Sequence, residues 1–383
     1  MDDRDAFGTG PSRVRPPADG PPLERIESVF SVYETDEEGE RLVYYGEPLV
    51  APDRVIEELW PVFRDRGYEV RLGTRHSEYV LVAEPKSDGV DGIPWTNLVL
   101  FGLTVLSTLF AGSMWYHIDP VANPTEMWQA WPFTVAILGV LGVHEMGHYV
   151  LSRYHDVDAT LPYFIPVPTL IGTMGAVIKM NGRMPDRKAL FDIGVAGPLA
   201  GLVATVVVSV IGLHLPPVTA PESVVQSADA IRIQLGYPPL LEGLAWLFDQ
   251  PLYRGDPTAA VNPVVIGGWV GLFVTFLNLL PVGQLDGGHI LRAMAGEYQQ
   301  TIAAIVPGVL FALAGYLYYV TDVSGNAVAI WAVWGVFTAV LASVGPARPV
   351  RDDSLGRKRF VLGVVTFVLG ILCFTPVPIQ IIG

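Results

Sequence analysis

The chain has 383 residues, of which 51% are hydrophobic and only 16% charged, with a mean hydropathy of +0.40. That is more apolar than a soluble domain needs, and the expectation is an integral membrane protein. A net charge of −14 argues against nucleic acid as a partner, and a single cysteine, Cys373, excludes an internal disulfide and a thiolate metal cluster.

The acidity is uneven: residues 1–90 hold 20 of the 38 acidic residues against 11 basic ones. This argues against an anionic membrane surface as a partner of that segment. Of the 24 basic residues only Lys86, Lys179, Lys188 and Lys358 are lysine. Abundant Asp and Glu with Arg preferred to Lys is the pattern of proteins kept soluble in concentrated salt, so a halophilic source is expected. Met1 to Asp5 do not open a basic region followed by an apolar stretch, and no cleaved signal peptide is expected.

In chain order, residues 1–23 read as a disordered arm rich in Pro, Gly and Asp. Residues 24–90 read as a small cytoplasmic α+β domain. Strands are expected at Arg25 to Tyr33 and Leu42 to Val50 around a polar turn from Thr35 to Gly39. An amphipathic helix from Pro52 to Arg66 and strands at Tyr68 to Leu72 and Tyr79 to Ala83 complete it. Its His76 stands alone and its acids fall on turns or a solvated helix face. A regulatory or substrate-presenting role and a solubilising appendage are both open.

Residues 91–383 read as a membrane domain of about seven spans: Trp95 to Tyr116, Gln129 to Arg153, Phe191 to Leu215, Pro263 to about Arg292 with a break, Ile302 to Val320, Ala327 to Val344 and Phe360 to Pro376. Trp115, Trp128 and Trp131 read as interface anchors. Arg153, Lys179, Arg183, Arg187, Lys188, Arg292, Arg348, Arg351, Arg357, Lys358 and Arg359 fall on one side, and only Arg232 and Arg254 on the other. The crowded side is expected to be cytoplasmic, with the N-terminus inside, the C-terminus outside and the cell membrane as location.

The second span ends in His144-Glu145-Met146-Gly147-His148. In a helix, histidines at i and i+4 share a face, so both imidazoles can reach one metal ion, with Glu145 placed to take a proton from water. Such a motif also occurs by chance as two solvated surface histidines. At hydrocarbon depth, however, each ionisable group costs a few kcal/mol unless it faces a partner or a water-filled cavity, which favours a functional site.

Residues 154–190 do not read as a helix. Pro162, Pro166 and Pro168 interrupt an apolar stretch, and Gly172 to Met180 ends at the pair Asn181-Gly182. Two short strands forming a membrane-reentrant β-hairpin are expected, with an ordinary cytoplasmic loop as the alternative. Gly175 within it permits close approach of a substrate backbone, or serves only as a turn or packing residue. Gly194, Gly197 and Gly201 in the third span read as close helix packing. In the following loop Leu240 to Phe248 reads as a short amphipathic helix at the outer interface.

In the fourth span, Pro281, Gly283, Gly287 and Gly288 predict a break, and Asp286 supplies a carboxylate there. His148 and His144 precede Arg153 by 5 and 9 residues, and Asp286 precedes Arg292 by 6. At 1.5 Å per residue all three lie roughly 8 to 14 Å from one membrane face. Two His and one carboxylate leave a fourth position open on one Zn2+ per chain.

His144 to His148 together with Asn278 to Gly288 (NLLPVGQLDGG) resemble the site-2 protease family of intramembrane zinc metalloproteases. Gly194 to Pro198 is similar to that family's glycine-rich element and Gly172 to Met180 to its reentrant hairpin, so the resemblance covers residues 95–295. It implies His144, His148 and Asp286 as zinc ligands, Glu145 as general base and Asn278 as a residue that positions substrate or shapes the cavity. It also implies membrane-anchored or single-span substrate proteins within the bilayer, cut inside or beside a transmembrane helix after local unwinding. No inserted PDZ domain and no C-terminal nucleotide-binding module are visible. The acidic N-terminal domain and extra C-terminal span look like the branch shared by archaea and chloroplasts.

Two other readings compete. Intramembrane His and Asp also mark ion paths, as in a divalent metal transporter, but His117, His155 and His214 fall near span ends rather than along a path. His289, one turn after Asp286, reads either as a partner of the metal ligands or as a histidine bonded to nearby backbone. The third reading, an inactive protease-like scaffold, is disfavoured by the intact Glu145.

Overall fold

Residues 19–86, 92–181, 183–221, 232–253, 258–321, 323 and 325–382 are described here in a computed structural model of the protein. Most of the expected arm, residues 1–18, and Gly182 and Arg254 lie outside them. The chain divides into two units, Met1–Asp88 and Gly89–Gly383.

In the first unit, Leu23–Ile26 (α1) precedes strands Phe30–Glu38 (β1) and Arg41–Pro48 (β2), helix Pro52–Arg64 (α2), and strands Tyr68–Arg75 (β3) and Glu78–Pro85 (β4). The antiparallel sheet has the order β1-β2-β4-β3. Two expectations fail locally. Arg25 does not begin a strand: Pro22 leads into a helical turn that buries Ile26. The acids expected in a turn from Thr35 stay in β1, where Asp36 pairs with Val43 and Glu37 with Leu42, and the chain reverses only after Glu38, where Gly39 has φ +69°. An edge strand keeps charged side chains in water while its backbone pairs inward. Helix α2 buries Val55, Ile56, Leu59, Trp60 and Phe63, and the Phe63 ring meets Tyr44 edge-on at 5.6 Å. Arg75 hydrogen-bonds Glu38 and holds its carboxyl below the usual carboxylate range.

The second unit is mostly helical, with five candidate membrane helices. Trp95–Trp115 (α3) is followed by a single 3-10 turn, Glu126–Ala130, that runs into Trp131–Tyr154 (α4). Short strands Asp158–Ala159 (β5), Tyr163–Pro166 (β6), Thr173–Val177 (β7), Met180–Asn181 (β8) and Met184–Asp186 (β9) lead to Arg187–His214 (α5). That helix starts four residues earlier than expected because the Asp186 carboxylate caps it, accepting the Ala189 amide at 2.8 Å. Strands Val218–Thr219 (β10) and Arg232–Leu235 (β11), helix Pro239–Leu247 (α6) and strand Ala259–Ala260 (β12) form the next connection.

Pro263–Asn278 (α7) and Asp286–Ala295 (α8) flank the expected break. Tyr298–Val320 (α9) and Gly325–Val344 (α10) are the last two of the five candidate membrane helices. Strand Pro349–Arg351 (β13), helix Arg357–Leu372 (α11) and strand Ile379–Ile382 (β14) complete the order. Helices α7 and α11 are only 16 residues long. Large apolar side chains are exposed on α3 (Leu98, Val99, Leu103, Leu106) and on α10 (Val333, Val336, Val340), a liability in water and the expected surface in hydrocarbon.

Helices α4, α5 and α7 share one core, in which Phe133, Ile137, Leu141, Leu202, Val265 and Trp269 are buried. Strands β6 and β7 form an antiparallel hairpin, pairing Tyr163 with Val177 and Phe164 with Ala176. The C-terminal segment is stitched on twice. Strand β13 runs parallel to β9, and β14 pairs with β11. Asp192 of α5 accepts two hydrogen bonds from Arg359 of α11, at 2.7 and 2.8 Å, and lies 3.0 Å from His155 Nε2. Replacing Asp192 by Ala is expected to lower stability by about 1–3 kcal/mol, because it leaves a guanidinium without its acceptor. Thermal unfolding in detergent checks this; an unchanged midpoint would mean that apolar contacts alone hold α11.

Candidate metal centre

His144 and His148 lie one turn apart on α4, and both side chains are buried. Their Nε2 atoms face each other at 3.3 Å. Asp286, the first residue of α8, completes the group: its Oδ2 is 3.2 Å from His144 Nε2 and its Oδ1 3.2 Å from His148 Nε2. The break between α7 and α8 puts this carboxylate at a helix N-terminus rather than inside a continuous helix, where the helix dipole favours a negative charge. One ligand atom from each of the three residues lies within 4.8 Å of the other two.

The atoms left over fit a cation. His148 Nδ1 lies 2.8 Å from the Ile193 carbonyl, which can only accept, so Nδ1 carries a hydrogen and the neutral ring presents its Nε2 lone pair to the cluster. Asp286 Oδ2 is buried and receives no hydrogen bond of good geometry despite its proximity to His144. Two imidazole nitrogens and a carboxylate are a donor set that suits zinc.

Helix α5 is shaped to the two rings. A Cβ at Gly197 would collide with the His148 imidazole, and one at Gly201 would approach His144 Nδ1 to 2.8 Å. The packing role expected for these glycines is therefore specific. Gly197 and Gly201, four apart, lie antiparallel to His144 and His148, also four apart. That matched spacing was readable in the sequence as a signal for ring contact, not only for helix contact.

Glu145 lies beside His144 on α4 and is 7% exposed, so it reaches little water except through the site. Asn278, the last residue of α7, brings its amide nitrogen to 3.3 Å from His144 Nε2. Gly175 stands in the middle of β7 with φ +114° and nothing within 4 Å of where a Cβ would be, so it is not among the clustered residues. The Ile193 carbonyl was not foreseen, since backbone groups carry no sequence signal.

Fold and site together define a mostly helical protein with five candidate membrane helices and a two-His, one-Asp centre. Residues 132–315 match the sequence profile of Peptidase family M50. Probable zinc metalloprotease EGY1, chloroplastic, of Arabidopsis thaliana is 33% identical over 306 residues, covering 73% of this chain and 52% of the relative. Probable zinc metalloprotease EGY2, chloroplastic, of the same plant is 28% identical over 352 residues, covering 88% of this chain and 60% of the relative. The chain thus spans little more than half the length of these curated relatives. Among solved structures, the Site-2 Protease from Methanocaldococcus jannaschii aligns with TM-score 0.32 and 16% identity, covering 67% of this chain and 92% of that one. Residues 132–315 thus carry a peptidase family M50 (site-2 protease) domain.

The contact between α5 and the imidazoles gives a direct test. Gly197→Ala is expected to abolish stoichiometric zinc binding by the purified protein. Gly139→Ala, on the same helix as the histidines but with open space at its Cβ, is expected to leave binding unchanged. Metal analysis after gel filtration reads both.

Proposed function

We propose that this chain is an intramembrane zinc metalloprotease that hydrolyses peptide bonds in or beside transmembrane segments of membrane-anchored or single-span substrate proteins. The observation that carries the reading is the convergence of His144, His148 and Asp286, with Glu145 alongside, in a domain of candidate membrane helices. His144, His148 and Asp286 are the residues that would hold one Zn2+. When bound, zinc supplies Lewis acidity, which makes water acidic near neutral pH and polarises a peptide carbonyl.

The remaining work falls to the chain's own groups. Glu145 takes the proton of the attacking water and delivers one to the leaving amine. Its burial excludes bulk water from that exchange. Asn278, next to His144, orients the substrate or shapes the cavity. The β6–β7 hairpin acts as a membrane-reentrant element, offering a strand edge to an unwound substrate, with the open face at Gly175 allowing a second backbone to approach.

In this reading α7 with α8, and α11, join the five longer helices to give seven spans in the cell membrane. The N-terminus and a domain of residues 24–90 lie in the cytoplasm, the membrane protease domain covers 91–383, and the C-terminus is outside, in keeping with the charge asymmetry. A transporter would need ligands strung along a path. Among the described residues the grouped metal-ligating side chains are those of this single centre, while His214 bonds the Val210 carbonyl and His155 lies against Asp192.

Glu145→Gln is expected to retain zinc while cleavage of a membrane-anchored reporter falls by roughly 10²–10⁴-fold, the usual weight of a general base. Undiminished cleavage would sink the assignment, and metal flux into vesicles surviving this substitution would favour transport. The acidic, lysine-poor composition belongs to the same proposal as a halophilic trait. Lowering salt from about 1 M to about 0.1 M lengthens the screening distance from roughly 3 to 10 Å, so self-repulsion is expected to reduce both thermal midpoint and activity.

A further inference from the structure

Helix α5 bears on all three members of the metal centre. Its Gly201 and Gly197 lie against the His144 and His148 rings, and its Ile193 carbonyl is 2.8 Å from His148 Nδ1. Toward its start the same helix meets α8, the short rod whose first residue is Asp286. A Cβ at Gly194 would come within 3.3 Å of the Ile290 side chain, and Ile290 is fully buried. Arg187, the first residue of α5, reaches the far end of α8. Its Nε donates to the Ala293 carbonyl at 2.9 Å and its guanidinium to the Met294 carbonyl at 3.4 Å. The last carbonyls of a helix have no partner within it, and a cation there also suits the helix dipole. Ala293 is fully buried, so an acceptor left unmet at that place is costly. Asp352, between β13 and α11, lies 3.4 Å from the same Nε, and β13 pairs with β9 just ahead of α5. The C-terminal segment thus backs the contact from outside.

We propose that Arg187 is a positioning residue for the metal centre: by capping the C-terminal end of α8 it fixes that helix along α5, and so sets where the Asp286 carboxylate stands relative to His144 and His148. The inference rests on the metal-centre reading and deepens it. Arg187 is not among the ligands and acts through the length of α8. That helix has 10 residues, a rod of about 15 Å at 1.5 Å per residue. At its other end the chain is the non-helical break, where Gly283 has φ +51°, and a break does not by itself hold the direction of the rod that follows. Apolar packing at Ile290 and Ala293 is non-directional, so it presses α8 against α5 without fixing the register between them. Hydrogen bonds to two successive carbonyls do fix it, and a metal ligand needs placement within about 0.5 Å. Both histidines and the carboxylate are then referred to one helix.

The test uses the full chain purified in detergent. Zinc affinity is measured by competition against a chromophoric chelator, and the visible spectrum of Co2+-loaded protein reads ligand geometry. Arg187→Met, which keeps length and removes the donors, is expected to weaken zinc binding by roughly 10–100-fold, the usual cost of losing a group that orients a ligand, and to alter the Co2+ spectrum. Arg187→Lys, which keeps a donor for the Ala293 carbonyl, is expected to recover most of the affinity. Gly194→Val pushes on Ile290 without touching Arg187; it is expected to weaken binding likewise, and it decides the matter should Arg187→Met fail to fold. Asn262→Ala removes the cap of α7 at the end away from the centre, and is expected to lower the thermal midpoint with affinity and spectrum as in wild type. Full affinity in Arg187→Met or in Gly194→Val overturns the inference. So does equal loss in Arg187→Met and Arg187→Lys, or a loss in Asn262→Ala as large as in Arg187→Met. Wild-type protein without zinc affinity overturns the metal-centre reading and this inference with it, whereas intact wild-type affinity with unaffected variants overturns only the inference.

Discussion

Everything in the membrane unit is arranged around one unfavourable meeting: two imidazole nitrogens and a carboxylate brought together where water is scarce. The two Nε2 atoms are 3.3 Å apart, and the Ile193 carbonyl holds the Nδ1 hydrogen of His148, so that the neutral ring turns a lone pair toward the centre. Without a cation or a shared proton this is a cluster of electron pairs at low dielectric, where the interaction is far stronger than in water. A divalent ion turns the same geometry from a cost into a binding energy, which is why the proposed function needs no further element to account for the burial of these groups.

The surrounding packing serves that convergence. Helix α5 has no side chains at 197 and 201, so its backbone comes up against the rings and fixes their orientation. At the end of α4, Asp192 ties α5 to α11 through Arg359 and sits against His155. Opposite, Trp269 donates to the Gly236 carbonyl and Trp331 to the Pro376 carbonyl, so the segments paired as β11 and β14 are moored to buried indoles at their flanks. The result is a centre held by backbone carbonyls, ring contacts and ion pairs contributed from segments distant in sequence.

Much of this was legible beforehand, for identifiable reasons. The four-residue spacing of His144 and His148 needs only helical periodicity, and Pro281 with Gly283 announces a break because proline removes a helical hydrogen bond and glycine weakens a helix, although Gly287 and Gly288 fall inside α8. The alternation of proline and apolar residues between 162 and 177 pointed to strands, and a hairpin is present. What misled was composition read without pairing. The acids from Asp36 to Glu38 look like a turn, yet edge pairing with β2 keeps them in a strand. Arg25 sits in an apparently strand-like stretch but follows Pro22 into a helical turn. The parallel pairing of β13 with β9 joins segments more than 150 residues apart, and neither has enough residues to declare itself a strand alone.

The sequence by itself determined the chemistry on offer: two histidines and a glutamate on one helix, a carboxylate at a break, an apolar surface suited to lipid, and a charge asymmetry. These follow from side-chain type and local periodicity, which a linear chain displays directly. Tertiary structure alone decided that Asp286 spans both histidines at 3.2 Å, that His148 is oriented by the carbonyl of Ile193, and that Gln299 reaches back to Pro281. Such contacts depend on the register in which α4, α5, α8 and α9 pack, and on backbone groups that every residue possesses alike, so no local pattern could have carried them.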